Sequence, residues 1–243
     1  MGKVRVVYLI PCDRTEQAVY KQAIAYAVAD VRWWYKRQLD GATFMLRGGV
    51  EVAHSDKPAS WFATHEKQKH GDSTGFANGL REANRLLGAR HNDPHWIWVI
   101  YCDSPGGGRG GSGVCVLPEH DLLGLIGKNK GKNQSDQRIE RWRGGLAHEV
   151  GHALGLDHPC TKMPCAYGSS LMYLGYLTYP ATQLTESDKA ALMKSRFIYG
   201  GNKRGLSAGA YGSVGGGVRG AMGASLGARA GMGGGVRLPR RRP

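Results

Sequence analysis

Residues 144–159 read Gly-Gly-Leu-Ala-His-Glu-Val-Gly-His-Ala-Leu-Gly-Leu-Asp-His-Pro, and this stretch limits the fold more than any other. His148 and His152 stand four apart, so on a helix both imidazoles leave one face toward a common point. Glu149 follows the first histidine, where a carboxylate can reach a water beside a metal ion without ligating the ion. Gly155 can take the left-handed conformation that ends a helix and turns the chain. The turn lets His158 return as a third nitrogen. Three neutral imidazoles and one open position describe a catalytic zinc site, whereas a structural site is closed by four protein ligands. The plainer alternative is a polar helix whose histidines face solvent, and the helix stop at this spacing weighs against it.

These residues resemble the metzincin clan of zinc endopeptidases. A second feature carries the resemblance: Ser169-Ser170-Leu171-Met172-Tyr173, with Met172 fourteen residues past His158, looks like the clan's methionine turn, whose Met packs beneath the metal. Alone, Met172 would read as an ordinary core methionine. The resemblance implies an α+β (α/β/α-like) fold: a mixed twisted sheet, two main helices, the zinc helix at the cleft, and a small C-terminal lobe holding the Met-turn and a closing helix. It implies one catalytic Zn2+ on His148, His152 and His158. Glu149 would then act as base in hydrolysing the peptide bonds of a protein or peptide substrate. Tyr173 and Tyr176 become candidates for the pocket, and Tyr176 for donating to the developing oxyanion. Leu146 and Ala147 are expected to line a specificity pocket for an apolar side chain.

Within the clan the subfamily stays open. Pro159 after the third histidine is similar to the serralysin pattern, but no Asp follows Gly200 to build that subgroup's calcium repeats. Leu174 stands where astacins and serralysins carry a zinc-approaching Tyr. Clan members are commonly secreted, so an extracellular protein is expected, although Met1 to Pro11 reads as a strand and not as a signal peptide.

Composition divides the chain. From Gly201 to Pro243 there are 14 Gly, eight Lys or Arg and no acidic residue, so +8 of the formal +14 belongs to this tail. Residues 1–200 are read as the peptidase-like domain (1–158 upper lobe, 159–200 lower lobe). The tail 201–243 is read as disordered. A competing function follows from it: a zinc-containing binding protein whose basic, Gly/Arg-rich tail holds nucleic acid or another polyanion. Glu149 discriminates, because a structural site has no use for a carboxylate that is not a ligand. No apolar run is long enough to span a membrane, and a monomer is expected. The five cysteines are Cys12, Cys102, Cys115, Cys160 and Cys165. Cys160 and Cys165 could form a disulfide or remain two free thiols.

In chain order, Val4 to Ile10 reads as a buried strand. Asp13 and Glu16 read as the capping box of a helix reaching about Leu39, its stripe Tyr20, Ile24, Ala27, Val31 and Trp34 facing a sheet. Core packing is preferred to a binding role for Trp33-Trp34-Tyr35. Thr43 to Leu46 and Val50 to Ala53 read as strands joined by Arg47-Gly48-Gly49. His54, His65 and His70 lie in a polar loop at no ligand spacing. Phe76 to Leu87 reads as a helix ended by Gly88, and Trp96 to Tyr101 as a central strand. Gly106 to Gly113 lacks the setting of a phosphate loop and reads as a flexible loop near the cleft. Gly113 to Pro118 is the candidate edge strand for substrate. Residues 128–138 form a polar loop, Ile139 begins the zinc helix, and Leu174 to Gln183 forms a wall of the pocket. Thr185 and Asp188 cap a helix through about Phe197.

Overall fold

The computed structural model describes residues 1–64, 75–129, 138–159 and 168–201. Its frame is a five-stranded sheet in the order β3-β1-β4-β6-β5. The strands are β1 (Lys3–Ile10), β3 (Glu51–His54), β4 (Trp96–Cys102), β5 (Arg109–Gly111) and β6 (Val114–Leu117). β1 runs parallel to β3 and β4, β4 parallel to β6, and only β5 runs antiparallel to its neighbour. Strand β4, Trp-Ile-Trp-Val-Ile-Tyr-Cys, is central, because a strand covered on both faces needs apolar residues at every position.

The two faces of the sheet carry different cores, and the strand period of two sorts residues between them. Val4, Val6, Tyr8 and Ile10 of β1 join Ile97, Val99 and Tyr101 of β4 on one face. Val7 and Leu9 join Trp98, Ile100 and Cys102 on the other. The first face is covered by α1 (Ala18–Gln38) and α5 (Ile139–Ala153), the two longest helices among the described residues. The second is covered by α2 (Ala59–Ala63) and α3 (Phe76–Leu87), where Gly79 lets the helix approach Val116. The architecture is therefore a mixed α/β three-layer fold, as the sequence suggested.

After α5 the chain forms a 3-10 turn (Gly175–Thr178), α6 (Glu186–Lys194) and β7 (Ile198–Tyr199). Leu171, Met172, Tyr179, Leu184, Leu192 and Ile198 share the core of the α1/α5 face. α1 anchors this segment through polar bonds. Trp34 Nε1 donates to Pro180 O at 3.1 Å, and the Leu184 amide donates to Gln38 Oε1 at 3.0 Å. Tyr179 OH donates to Asp30 Oδ2 at 2.7 Å. α6 carries the expected capping box, with Thr185 and Asp188 each accepting from the other's amide.

Several expectations need correction. Asp13 and Glu16 do not cap α1, which begins at Ala18. Asp13 Oδ1 instead accepts from the Ala59 amide at 2.7 Å, capping α2 from across the structure, and Glu16 faces His54 at 3.6 Å. Residues 43–46 and 50–53 do not pair as a hairpin. β2 (Thr43–Phe44) runs antiparallel to β7, while β3 adds in parallel to β1. The sheet edge offered by β1 outcompetes local pairing. Trp34 and Tyr35 are core residues, whereas Trp33 is exposed. The closing helix stops at Lys194, four residues before β7 begins at Ile198.

Among the described residues no helix is long and apolar enough to cross a membrane. Cys12, Cys102 and Cys115 are free thiols. The Cys160–Cys165 pairing, His65, His70 and the tail from residue 202 onward lie outside the described residues.

Candidate metal centre

Helix α5 presents His148 and His152 one turn apart, and Gly155 (φ +99°) ends it in the left-handed region. His158 then folds back over the same face. Its Nε2 lies 3.2 Å from His148 Nε2 and 3.0 Å from His152 Nε2, and the first two are 3.1 Å apart. Among the described residues these three form the group whose ligand atoms could hold a metal ion.

Hydrogen bonds set the direction of two of these rings. His148 Nδ1 donates to Leu171 O at 2.8 Å, and His152 Nδ1 donates to Leu156 O at 2.7 Å. A carbonyl can only accept, so Nδ1 carries the proton and Nε2 keeps a bare lone pair. Bare lone pairs about 3 Å apart repel each other unless a cation sits among them. A tetrahedral zinc with bonds of about 2.0–2.1 Å separates its ligands by roughly 3.3 Å, so the donor set fits that ion in type and spacing. Burial pushes the His148 imidazolium down to about 4, and the neighbouring histidines add to the effect against the Leu171 bond. His152 is lowered for the same first reason. Neutral rings are what a metal requires.

Met172 is fully buried and packs against the zinc-helix backbone at Gly151. A side-chain carbon at Gly151, between the two helix histidines, would stand 2.5 Å from Met172 Sδ and 3.1 Å from Tyr35 OH. Glycine at 151 thus lets the methionine rise against the helix. Tyr35 OH also donates to Ala147 O at 2.9 Å, tying α1 to α5 one residue before the first histidine.

Glu149 shares a cavity of about 450 Å3 with His148 and His158. Burial, and then the charge of Asp121, push its carboxyl up to about 7, while the Gly110 amide and Arg109 pull the other way. Tyr173, Leu174 and Tyr176 form one wall. The Tyr176 ring packs against His148 at 5.2 Å between centroids, and the Arg141 guanidinium carbon lies 5.2 Å from the Tyr176 ring centroid.

The pocket differs from the sequence expectation. Leu146 and Ala147 are fully buried in the core and point away from it. The cavity is lined instead by Leu117, His120, Asp121, Arg141 and Gly145, a far more polar set. His120 and Asp121 belong to α4 (Glu119–Leu125), a helix that was missed. The signal was present: Pro118 followed by acidic residues in the first turn is a helix start. Arg141 follows from α5 itself, one turn before Gly145.

The candidate edge strand is also corrected. β6 (Val114–Leu117) is interior, paired with β4 on one side and β5 on the other. The edge is β5, inside the glycine-rich stretch that reads as a loop from sequence. Gly110 has a backbone reason to be glycine, since any Cβ there would strike the Glu149 carbonyl.

No protein-family model and no curated protein matches the sequence. Solved structures do match. OgpA from Akkermansia muciniphila, in a catalytically inactive form in complex with an O-glycopeptide (glycodrosocin) substrate, superposes with a TM-score of 0.57 at 19% identity, over 81% of this chain. What is shared is the fold. This chain spans 61% of the length of that one. Wild-type OgpA gives a TM-score of 0.54 at 18% identity, over 81% of this chain and 61% of that one. Archaemetzincin from Methanopyrus kandleri is a more distant match, with a TM-score of 0.40 at 15% identity over 79% of this chain and 93% of that one.

Proposed function

We propose that this chain is a zinc-dependent endopeptidase of the metzincin type, hydrolysing peptide bonds in a protein or peptide substrate. One observation carries the reading: three imidazole Nε2 atoms converge within 3.2 Å of one another, and a carboxylate that is not among them shares their cavity. His148, His152 and His158 would hold one zinc ion, which when bound supplies a Lewis acid that acidifies water and polarises a carbonyl. Glu149 takes a proton from the attacking water on its carboxylate and delivers it to the departing amine nitrogen. Met172, in the part of a Met-turn, supports the helix between the ligands. Tyr176 orients His148 through ring packing, and Tyr173 closes the same wall.

The substrate backbone is assigned to the edge strand β5, beside Glu149, as an added strand on the sheet. The fold neighbour's O-glycopeptide substrate is in keeping with a peptide in this cleft. The same reading has the protein secreted, with its basic Gly/Arg-rich tail able to contact a polyanion.

The test uses zinc-loaded protein and a peptide library, with and without a chelator. Cleavage should require metal, and Glu149→Gln should retain zinc while losing cleavage. Cleavage that persists in Glu149→Gln removes Glu149 as the base, and a chain that takes up no zinc removes the reading altogether.

A further inference from the structure

We propose that the outer face of α1 docks on an anionic lipid bilayer, through a ridge of Val19, Tyr26 and Trp33 bordered by Lys21, Lys36 and Arg37. The inference stands apart from the peptidase reading, because none of these residues lines the cavity beside the histidines. Six large hydrophobic side chains are exposed among the described residues. Three of them lie on this one helix: Val19 at 48%, Tyr26 at 63% and Trp33 at 60%. Seven residues, close to two turns, separate each from the next, so the three stand in line over about 21 Å of helix. Ile24, Ala27, Val31 and Trp34 of the same helix are buried in the core of the α1/α5 face. α1 therefore has two apolar faces, and packing within the domain accounts for one of them.

The charges around the ridge have one sign. Lys21, Arg32, Lys36 and Arg37 are exposed, and the helix holds a single acid, Asp30. Asp30 is already engaged: it accepts from Tyr179 OH at 2.7 Å, and Arg143 stands 3.9 Å away. Glu16 and Asp40 lie beyond the two ends of the helix. Lys36 Nζ is 4.9 Å from the centroid of the Trp33 ring, which puts a cation and an indole at one point of the surface. Arg32 is held beside them by its Nε, which donates to Phe44 O at 2.9 Å. Arg32, Trp33 and Lys36 together border a cavity of about 270 Å3, room enough for a lipid phosphate.

This pattern decides among occupants. A second copy docked face to face would set these cations against their equals. The tail, with eight Lys or Arg and no acid, carries the wrong sign. A soluble acidic polymer would answer the cations but leave Val19, Tyr26 and Trp33 in water. An anionic bilayer answers both. Its phosphates meet Lys and Arg, while the rings enter the zone between headgroups and acyl chains, where tyrosine and tryptophan are favoured. A bilayer also receives a ridge by parting its headgroups, whereas a protein partner needs a groove of the same length.

The experiment measures cosedimentation of the full chain with vesicles of phosphatidylcholine, alone and mixed with phosphatidylglycerol. Every variant keeps the tail, whose own cations are drawn to anionic lipid. Wild type should bind the mixed vesicles and not the neutral ones. Tyr26→Ser combined with Trp33→Ser should weaken binding about ten-fold or more, through the apolar area the two rings no longer bury. Lys21→Gln should weaken it about five-fold, one cation's share. These side chains are exposed, so an unchanged melting temperature records that the fold is intact. Bromine on the acyl chains should quench the tryptophan emission of bound wild type. That quenching should disappear in Trp33→Phe, which still binds. Binding unchanged in the double variant assigns the contact to the tail and overturns the proposal. Equal binding to neutral vesicles, no binding, or unquenched tryptophan in bound wild type overturns it too. Dextran sulfate stands for a soluble polyanion: if the double variant loses as much affinity for it as for vesicles, without quenching, the lipid assignment falls to an acidic macromolecule. A wild-type dimer in sedimentation that the double variant breaks assigns the face to a second copy instead.

Discussion

Gly110→Ala and Gly111→Ala are neighbouring substitutions on one short strand with opposite expected outcomes. A Cβ at Gly110 would strike the Glu149 carbonyl, and a backbone carbonyl inside α5 cannot swing aside as a side chain would. At Gly111 nothing lies within 4 Å, and neither glycine has a positive φ. Overpacking of this kind costs about 1–3 kcal/mol, which in a domain of this size lowers the melting temperature by roughly 2–12 °C. Gly111→Ala should instead raise stability by about 0.4–1 kcal/mol, because alanine restricts the unfolded chain more than glycine does. Strand propensity changes equally in both, so their difference isolates the contact with α5. Gly110→Ala should also cut peptide hydrolysis, since it moves the Gly110 amide that bonds the Glu149 carboxylate. Scanning calorimetry of the two variants beside wild type is the assay. Equal melting temperatures for Gly110→Ala and Gly111→Ala would refute the close approach of β5 to the zinc helix.

Three further outcomes can be checked. Met172→Ala should lose about 2–5 kcal/mol in urea unfolding, and Met172→Leu under about 1.5 kcal/mol, since Met172 is fully buried and leucine nearly conserves its volume. Zinc at a hundred times its dissociation constant should stabilise the chain by about 2.7 kcal/mol, read as a chelator-reversible rise in melting temperature that His158→Ala abolishes. Hydrogen bonds from Arg85, helped by Ser55 and opposed by burial, hold the Glu82 carboxyl below its ordinary value. The folded-state pKa is the lower one, so this stabilisation is present above the unfolded pKa and is lost as pH falls through the folded one. The stability gap between wild type and Glu82→Gln in urea should therefore close on acidification from neutral pH, and a gap that stays constant would mean that Glu82 does not titrate in this way.

The zinc helix, β1, α3 with its Gly88 stop, the central β4 and the α6 capping box could be read from the sequence because their signals are local: a spacing, an apolar run, a cap. The misreadings share a different cause. Asp13 is a good N-cap residue beside a helix, but a helix 46 residues away in sequence claims its carboxylate. Thr43–Phe44 and Glu51–His54 look like partners and are each drawn to a distant strand. β5 reads as a loop in the sequence because its identity as an edge comes from β6 and α5, and Gly110 carries no strand signal of its own. In the site, the three histidines and Glu149 were visible as spacing. Asp121 and Arg141 were not, because only the packing of α4 on α5 brings them to one cavity.

The partners that aim His148 and His152 are the carbonyls of Leu171 and Leu156. Every amino acid, proline included, supplies that oxygen, so drift at positions 156 and 171 leaves the rings oriented as long as the chain follows the same path. The steering of the ligands is thus written in backbone geometry, where sequence comparison has nothing to align and superposition of coordinates does.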